Sequence, residues 1–185
     1  MEHHYLISSI ARGDRKAFRE LYDLFSDKVY NTSLSYARND QDAEEITQDV
    51  FTKIYRGAGK FKGDSAVGTW IYRITVNTSL NHLKSKKKFS ILNFGESQKD
   101  KPDFDHPGVI LENKENARIL FQVIGTLPES QKTAFILSFV EELPRQEVAD
   151  IMETSLKAVE SLLQRAKKNL RVKLEKDYPN RRKLK

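Results

Sequence analysis

LPRQEVADIMETSLKAVESLLQRAKKNL, residues 143–170, reads as two helices joined by a turn, and it decides the fold. Pro144 suits the first turn of a helix. Arg145 to Met152 is the short first helix, Glu153-Thr154-Ser155 is a tight turn, and a long second helix runs from Leu156. Val148, Ala149, Ile151, Met152, Leu156, Val159 and Leu163 recur at helical spacing and are expected to form one small core. The same pattern suits a helix-turn-helix and any antiparallel helix pair of a bundle.

Charge separates these readings. Between Lys157 and Lys185 there are eleven basic residues and three acidic ones, a net +8, whereas the whole 185-residue chain carries +6. The rest of the chain is therefore slightly acidic, at about −2, and Lys84–Lys88 holds a second basic block of four lysines. Positive charge concentrated on two helices favours an anionic partner, and phosphate neutralisation would supply affinity at both.

The second basic block ends the stretch FKGDSAVGTWIYRITVNTSLNHLKSKKK, residues 61–88. Trp70, Arg73, Asn77, Asn81, Lys84 and Lys88 follow steps of three and four and share one helix face. An aromatic with amides and cations suits unpaired bases and phosphates. The alternative is a solvated face with Trp70 as a half-buried core anchor.

Helical periodicity continues throughout, and strand signals are nearly absent. Gly13-Asp14 breaks a short first helix, and Asp14 can cap the next, which carries Ala17, Phe18, Leu21, Tyr22, Phe25, Val29, Tyr30, Leu34 and Tyr36. Asn39-Asp40 ends it, and Asp42 opens another, with Ala43, Ile46, Val50, Phe51 and Ile54 on its buried side. Asp42, Glu45 and Asp49 form an acidic face opposite Ile46 and Val50, which either stays solvated or meets a basic protein surface. Gly57, Gly59, Gly63 and Gly68 punctuate the loop before Trp70. Residues 89–116, with Pro102 and Pro107, lack a sustained period and read as a linker. Beyond it, Ile119, Leu120, Val123, Ile124 and Leu127 make an amphipathic helix, and Ser130 can cap the next, in which Ala134, Phe135, Leu137, Ser138 and Val140 pack.

The expected fold is all-α. Two helical domains, 1–88 and 117–178, flank the 89–116 linker, with a basic tail at 179–185. The absence of cysteine excludes disulfides and thiolate metal sites. No run of about 18 apolar residues and no signal-peptide core occurs, so a soluble, cytoplasmic protein is expected. The four histidines are scattered, and no nucleophile motif or phosphate-binding glycine loop is present. We therefore expect no enzyme activity, cofactor, metal or small-molecule substrate.

Four segments together resemble the extracytoplasmic-function sigma factors, the two-domain class of RNA polymerase specificity subunit in the sigma-70 family. GDRKAFRELYDLFSDKVY (13–30) resembles the family's opening region, and DAEEITQDVFTKIYR (42–56) the segment that docks on the polymerase clamp helices. FKGDSAVGTWIYRITVNTSLNHLK (61–84) resembles the segment that melts and reads the minus-ten element. LPESQKTAFILSFVEELPRQEVADIMETSLKAVESLLQRAKKNL (127–170) resembles the minus-35 helix-turn-helix. The order and spacing are the family's, and nearly the whole chain is covered apart from the linker and tail.

The resemblance implies roles. Asp42, Glu45, Gln48, Asp49 and Lys53 would bind core polymerase. Phe61, Lys62, Asp64, Ser65, Thr69, Trp70, Tyr72, Arg73, Asn77, Asn81 and Lys84 would bind the melted minus-ten strand. Within that set, residues 61–69 would hold a flipped base, Asn77 would line its pocket, and Trp70, Tyr72 and Arg73 match the family's TW-YR signature. Ser155, Lys157, Ala158, Glu160, Ser161, Gln164, Arg165 and Lys168 would face the minus-35 duplex, with Arg165 and Lys168 on phosphates. Many relatives carry a basic residue where this chain has Glu160, which implies a different promoter preference, and the family's usual small Gly in the turn is Lys157 here. The implied partners are core RNA polymerase, promoter DNA as duplex and as melted strand, and an anti-sigma factor. The alternatives to this reading are a free-standing helix-turn-helix regulator, which has no need of the acidic 42–49 face, and a helical adaptor that binds no nucleic acid.

Overall fold

A computed structural model describes residues 3–92 and 114–178. No strand occurs among these residues, and the all-α expectation holds. The chain divides into two compact units, Met1–Pro107 and Gly108–Lys185. Of the expected 89–116 linker, residues 89–92 belong to the last helix of the first unit and 114–116 to the first helix of the second, while 93–113 and the expected basic tail 179–185 lie outside the described residues.

The first unit contains α1 (His4–Ala11), α2 (Arg15–Ala37), α3 (Asp40–Gly57), a 3-10 turn (Ala58–Lys60) and α4 (Val67–Leu92). Gly13 adopts φ +87, a left-handed conformation that turns the chain between α1 and α2. Asp14 caps α2 by accepting from the Lys16 and Ala17 amides. Arg38, at φ 62, ends α2 in the left-handed conformation, and burial lowers the pKa of its guanidinium. Asn39 then caps α3, which starts at Asp40 rather than at Asp42. The cap is reciprocal: Asp42 N–H donates to Asn39 Oδ1 at 2.8 Å, and Asn39 Nδ2 donates to Asp42 Oδ2 at 2.9 Å.

The core joins Leu6, Ile7 and Ile10 of α1 to Leu21, Phe25 and Val29 of α2, Ile46, Val50 and Ile54 of α3, and Val67, Ile71 and Val76 of α4. Each such side chain contributes ~1.5–3 kcal/mol on burial. Several buried hydroxyls are satisfied within their own helices: Ser33 donates to the Val29 carbonyl, Thr75 to that of Ile71 and Ser79 to that of Thr75, whereas Thr32 Oγ1 is buried without a partner. Gly68 lies inside α4 rather than in the preceding loop, and α4 continues past residue 88.

The second unit contains α5 (Lys114–Gly125), α6 (Glu129–Phe135) continued by a π-helical turn (Ile136–Val140), α7 (Arg145–Ile151) and α8 (Leu156–Asp177). Its core is Phe121, Val123, Ile124, Leu127, Ala134, Ile136, Leu137, Val148, Ala149, Ile151, Val159, Leu163, Ala166 and Leu170. Asn169 Nδ2 donates to Gln131 Oε1 at 2.9 Å and pins α8 to α6.

Three local expectations are corrected. Pro128 stands at the N-cap of α6 and Ser130 forms no cap, because the helix begins at Glu129. Pro144 likewise occupies the N-cap of α7 rather than its first turn. Leu156 is 40% exposed, since the first residue of α8 projects beyond the core, and Ala166 and Leu170 complete the buried stripe instead.

Candidate nucleic-acid and protein interfaces

In the first unit, the end of α3 and the start of α4 enclose an open cleft of about 310 Å³ lined by Lys53, Lys60, Trp70, Ile74, Asn77 and Thr78, with Gly57 at its edge. Trp70 is half-buried, and its ring lies 4.9 Å from that of Phe61 at a 41° tilt. Phe61 in turn meets the His4 ring edge-on at 5.3 Å, so α1 supports the loop that carries Phe61. Trp70 and Asn77, expected on one face, thus line one concave site, and Lys60 adds a cation there. Sequence reasoning overlooked Lys60, although a lysine closing the Gly57-Ala58-Gly59 turn just ahead of the aromatic helix was a usable signal.

Exposure sorts the expected minus-ten residues. Lys62, Asp64, Asn77, Asn81 and Lys84 are exposed, and Phe61, Ser65, Trp70 and Arg73 are half-exposed. Thr69 and Tyr72 are buried, at 5% and 8% exposure, because they lie toward the inward stripe of Val67, Ile71 and Val76. Their place is under the face, supporting it from the core.

The expected docking helix divides in the same way. Glu45, Gln48 and Asp49 are exposed along α3. Asp42 is 8% exposed and does not share their open face. It accepts from Lys86 Nζ at 2.7 Å as well as from Asn39. Burial by itself raises the Asp42 pKa, but the hydrogen bonds from Asn39 and Lys86 and the charges of Lys86 and His82 outweigh it, leaving the carboxyl below its ordinary range. Lys53 also turns away from the acidic face: its Nζ donates to Thr78 Oγ1 at 3.0 Å, across to α4 and beside the cleft. Both residues sit on the edge of α3 that abuts α4, an assignment a helical wheel cannot make. On the side of α3 that meets α2, Tyr55 and, from α2, Tyr22 are exposed, with the Tyr22 ring 4.6 Å from Phe51 and the Tyr55 ring 5.2 Å from Phe18.

Asp42, Glu45 and His82 bring potential metal-ligating atoms within 4.8 Å of one another. The Lys86 ammonium on Asp42 already occupies the place of a cation at this cluster.

In the second unit, Ser155 caps α8 by accepting from the Ala158 amide at 3.2 Å. Lys157, Glu160, Gln164, Arg165 and Lys168 are exposed on the side of α8 opposite Val159, Leu163 and Ala166, with Ala158 and Ser161 half-exposed at its margin. The Ser161 hydroxyl donates to the Lys157 carbonyl at 2.9 Å, and Arg165 Nε donates to the Ser161 carbonyl at 3.2 Å. Arg145, at the start of α7, reaches Glu160 with an Nη1–Oε1 distance of 3.7 Å. Sequence reasoning did not single out Arg145, and no local signal could have done so, since its partner lies across the turn.

Family models match two segments: "Sigma-70 region 2" over residues 21–89 and "Sigma-70, region 4" over residues 117–170. The chain is 34% identical over 179 residues to the ECF RNA polymerase sigma-E factor of Haemophilus influenzae, covering 92% of this chain and 94% of that one. It is 31% identical over 170 residues to the RNA polymerase sigma-H factor of Pseudomonas aeruginosa, covering 88% of each. Among solved structures, CnrH in complex with the cytosolic domain of CnrY has a similar fold, with TM-score 0.68 at 20% identity over 94% of this chain and 97% of that one. So does the sigma factor RpoE bound to the anti-sigma factor NepR from Bartonella quintana, with TM-score 0.64 at 18% identity over 86% of this chain and 98% of that one.

Proposed function

This chain belongs to the extracytoplasmic-function sigma factors of the sigma-70 family, and on that premise we propose how its two units divide the work of initiation. The chain is a transcription initiation factor that directs RNA polymerase to promoters. Residues 1–88 act as the unit that binds core polymerase and captures the minus-ten strand. Residues 117–178 act as the unit that reads the minus-35 duplex, and 89–116 links them.

The observation that carries this reading is the pairing, in one chain, of the Trp70–Asn77 cleft with the basic face of α8. A cleft with an aromatic wall, an amide and two lysines takes an unstacked base and its backbone. Unstacking costs a few kcal/mol, and stacking with hydrogen bonds in a shaped site offsets it. The α8 face presents the side chains that enter a major groove, with Arg165 and Lys168 on phosphates and Lys157, Glu160, Ser161 and Gln164 toward base edges. Glu45, Gln48 and Asp49 form the polymerase-docking patch; buried Asp42 braces it from behind, and exposed Lys53 ties α3 to α4 through Thr78 beside it.

The chain itself supplies binding and positioning, and the polymerase supplies the chemistry. No described helix is long and apolar enough to cross a membrane, and we place the protein in the cytoplasm with the polymerase. An anti-sigma factor is the expected regulator. Multi-round transcription with purified core polymerase on fragmented genomic DNA tests the whole reading. Discrete transcripts that depend on this chain support it. No transcripts together with no co-elution with core would overturn it in favour of a polymerase-independent DNA binder.

A further inference from the structure

The Arg145–Glu160 contact joins the first residue of α7 to the outward face of α8. In a helix-turn-helix the second helix enters the major groove while the first crosses the sugar-phosphate backbone. Arg145 therefore stands on the backbone side and Glu160 on the groove side, yet their side chains meet at 3.7 Å. Both are about half exposed, 56% and 51%, so solvent screens the pair and it adds little to folding stability. Its placement needs another explanation.

A carboxylate on a groove-facing helix is repelled by phosphates on both strands unless a cation accompanies it. Two cations further along α8 are turned elsewhere: Arg165 Nε donates to the Ser161 carbonyl, and Lys167 lies 4.5 Å over the Phe139 ring. Arg145 is the cation whose contact with Glu160 the structure shows. A guanidinium has donors on more than one edge, so it can hold a carboxylate with one and a phosphate with another. A carboxylate so held can accept from the exocyclic amine of cytosine, the one base edge that offers the groove only a donor.

We propose that Arg145 and Glu160 read promoter duplex as one unit, Glu160 accepting a hydrogen bond from a cytosine amine and Arg145 bridging that carboxylate to a backbone phosphate. Glu160 is the specificity residue and Arg145 its positioning residue. The proposal rests on the assignment of α7 and α8 to the minus-35 element.

The test is selection of duplexes randomised over the minus-35 region by holoenzyme reconstituted from core polymerase and the full chain. Wild type is expected to select cytosine at one position by ~10-fold over the other bases. E160A is expected to lose that preference alone. R145A is expected to lose it at the same position and to bind all duplexes more weakly, and R145K, which keeps the charge without the planar fork, to recover overall binding more than the cytosine preference. All three substitutions are at exposed sites, and unchanged melting temperatures establish that folding is intact. Retention of the cytosine preference by R145A, or loss of a guanine preference in R145A that E160A keeps, would overturn the proposal. Failure of wild type to form holoenzyme would overturn the underlying sigma-factor reading instead.

Discussion

Lys86 donates a hydrogen bond to Asp42 at 2.7 Å, tying the basic end of α4 to the first turn of α3. The expected docking face and the expected nucleic-acid helix are therefore mechanically joined. One acid of the supposed partner surface is spent on holding the unit together.

That tie makes the first unit sensitive to acid. A carboxyl whose folded pKa is depressed contributes stability above its unfolded value of ~4, and the contribution is lost as pH falls through the folded pKa. Asp42 is such a group. Asp42→Asn is expected to lower stability at neutral pH by on the order of 1 kcal/mol, a modest figure because Lys86 is half exposed. It should also flatten the loss of stability below about pH 4. Thermal melts of both proteins at pH 7 and pH 3.5 check this.

Glu45 and Asp49 are exposed and make no contribution to the core. Reversing both to Arg is expected to abolish co-elution with core polymerase while leaving helicity and melting temperature close to wild type. Retained binding in a pull-down would remove α3 as the docking helix.

Asn77 lines the cleft and is exposed, so Asn77→Ala deletes a polar contact without opening the core. It is expected to reduce open-complex formation, read by permanganate reactivity, by ~10-fold, with little change in closed duplex binding in a gel shift. Trp70→Ala should act in the same direction and more strongly, since a stacked aromatic is worth ~1–3 kcal/mol per base. Equal losses in both assays would argue against the cleft as a strand-capture site.

Arg165 and Lys168 are exposed cations on the side of α8 opposite Val159, Leu163 and Ala166. If both neutralise phosphates, replacing them with Ala should weaken binding uniformly across sequences. It should also make the slope of log affinity against log salt less negative by roughly 1.8. A change confined to particular base pairs would reassign them to base reading.

The two-helix pattern at 143–170, the Asp14 cap and the apolar stripe of α3 were legible because they depend on local physics. Helical period and capping hydrogen bonds involve residues within four positions of one another. Charge clustering on α8 was legible for the same reason. The fates of Asp42, Lys53, Thr69 and Tyr72 were not. A helical wheel shows which residues share a side but not how wide the buried stripe is, and that width is set by the neighbouring helix. Asp42 is buried because Lys86, 44 residues away, comes to meet it, and Lys53 leaves the acidic face because Thr78 offers an acceptor across the interface. The helices, their order and the two basic faces follow from the chain's local pattern alone. Which side chains on those faces are drawn into contacts between helices follows from packing, because those contacts join residues distant in the chain.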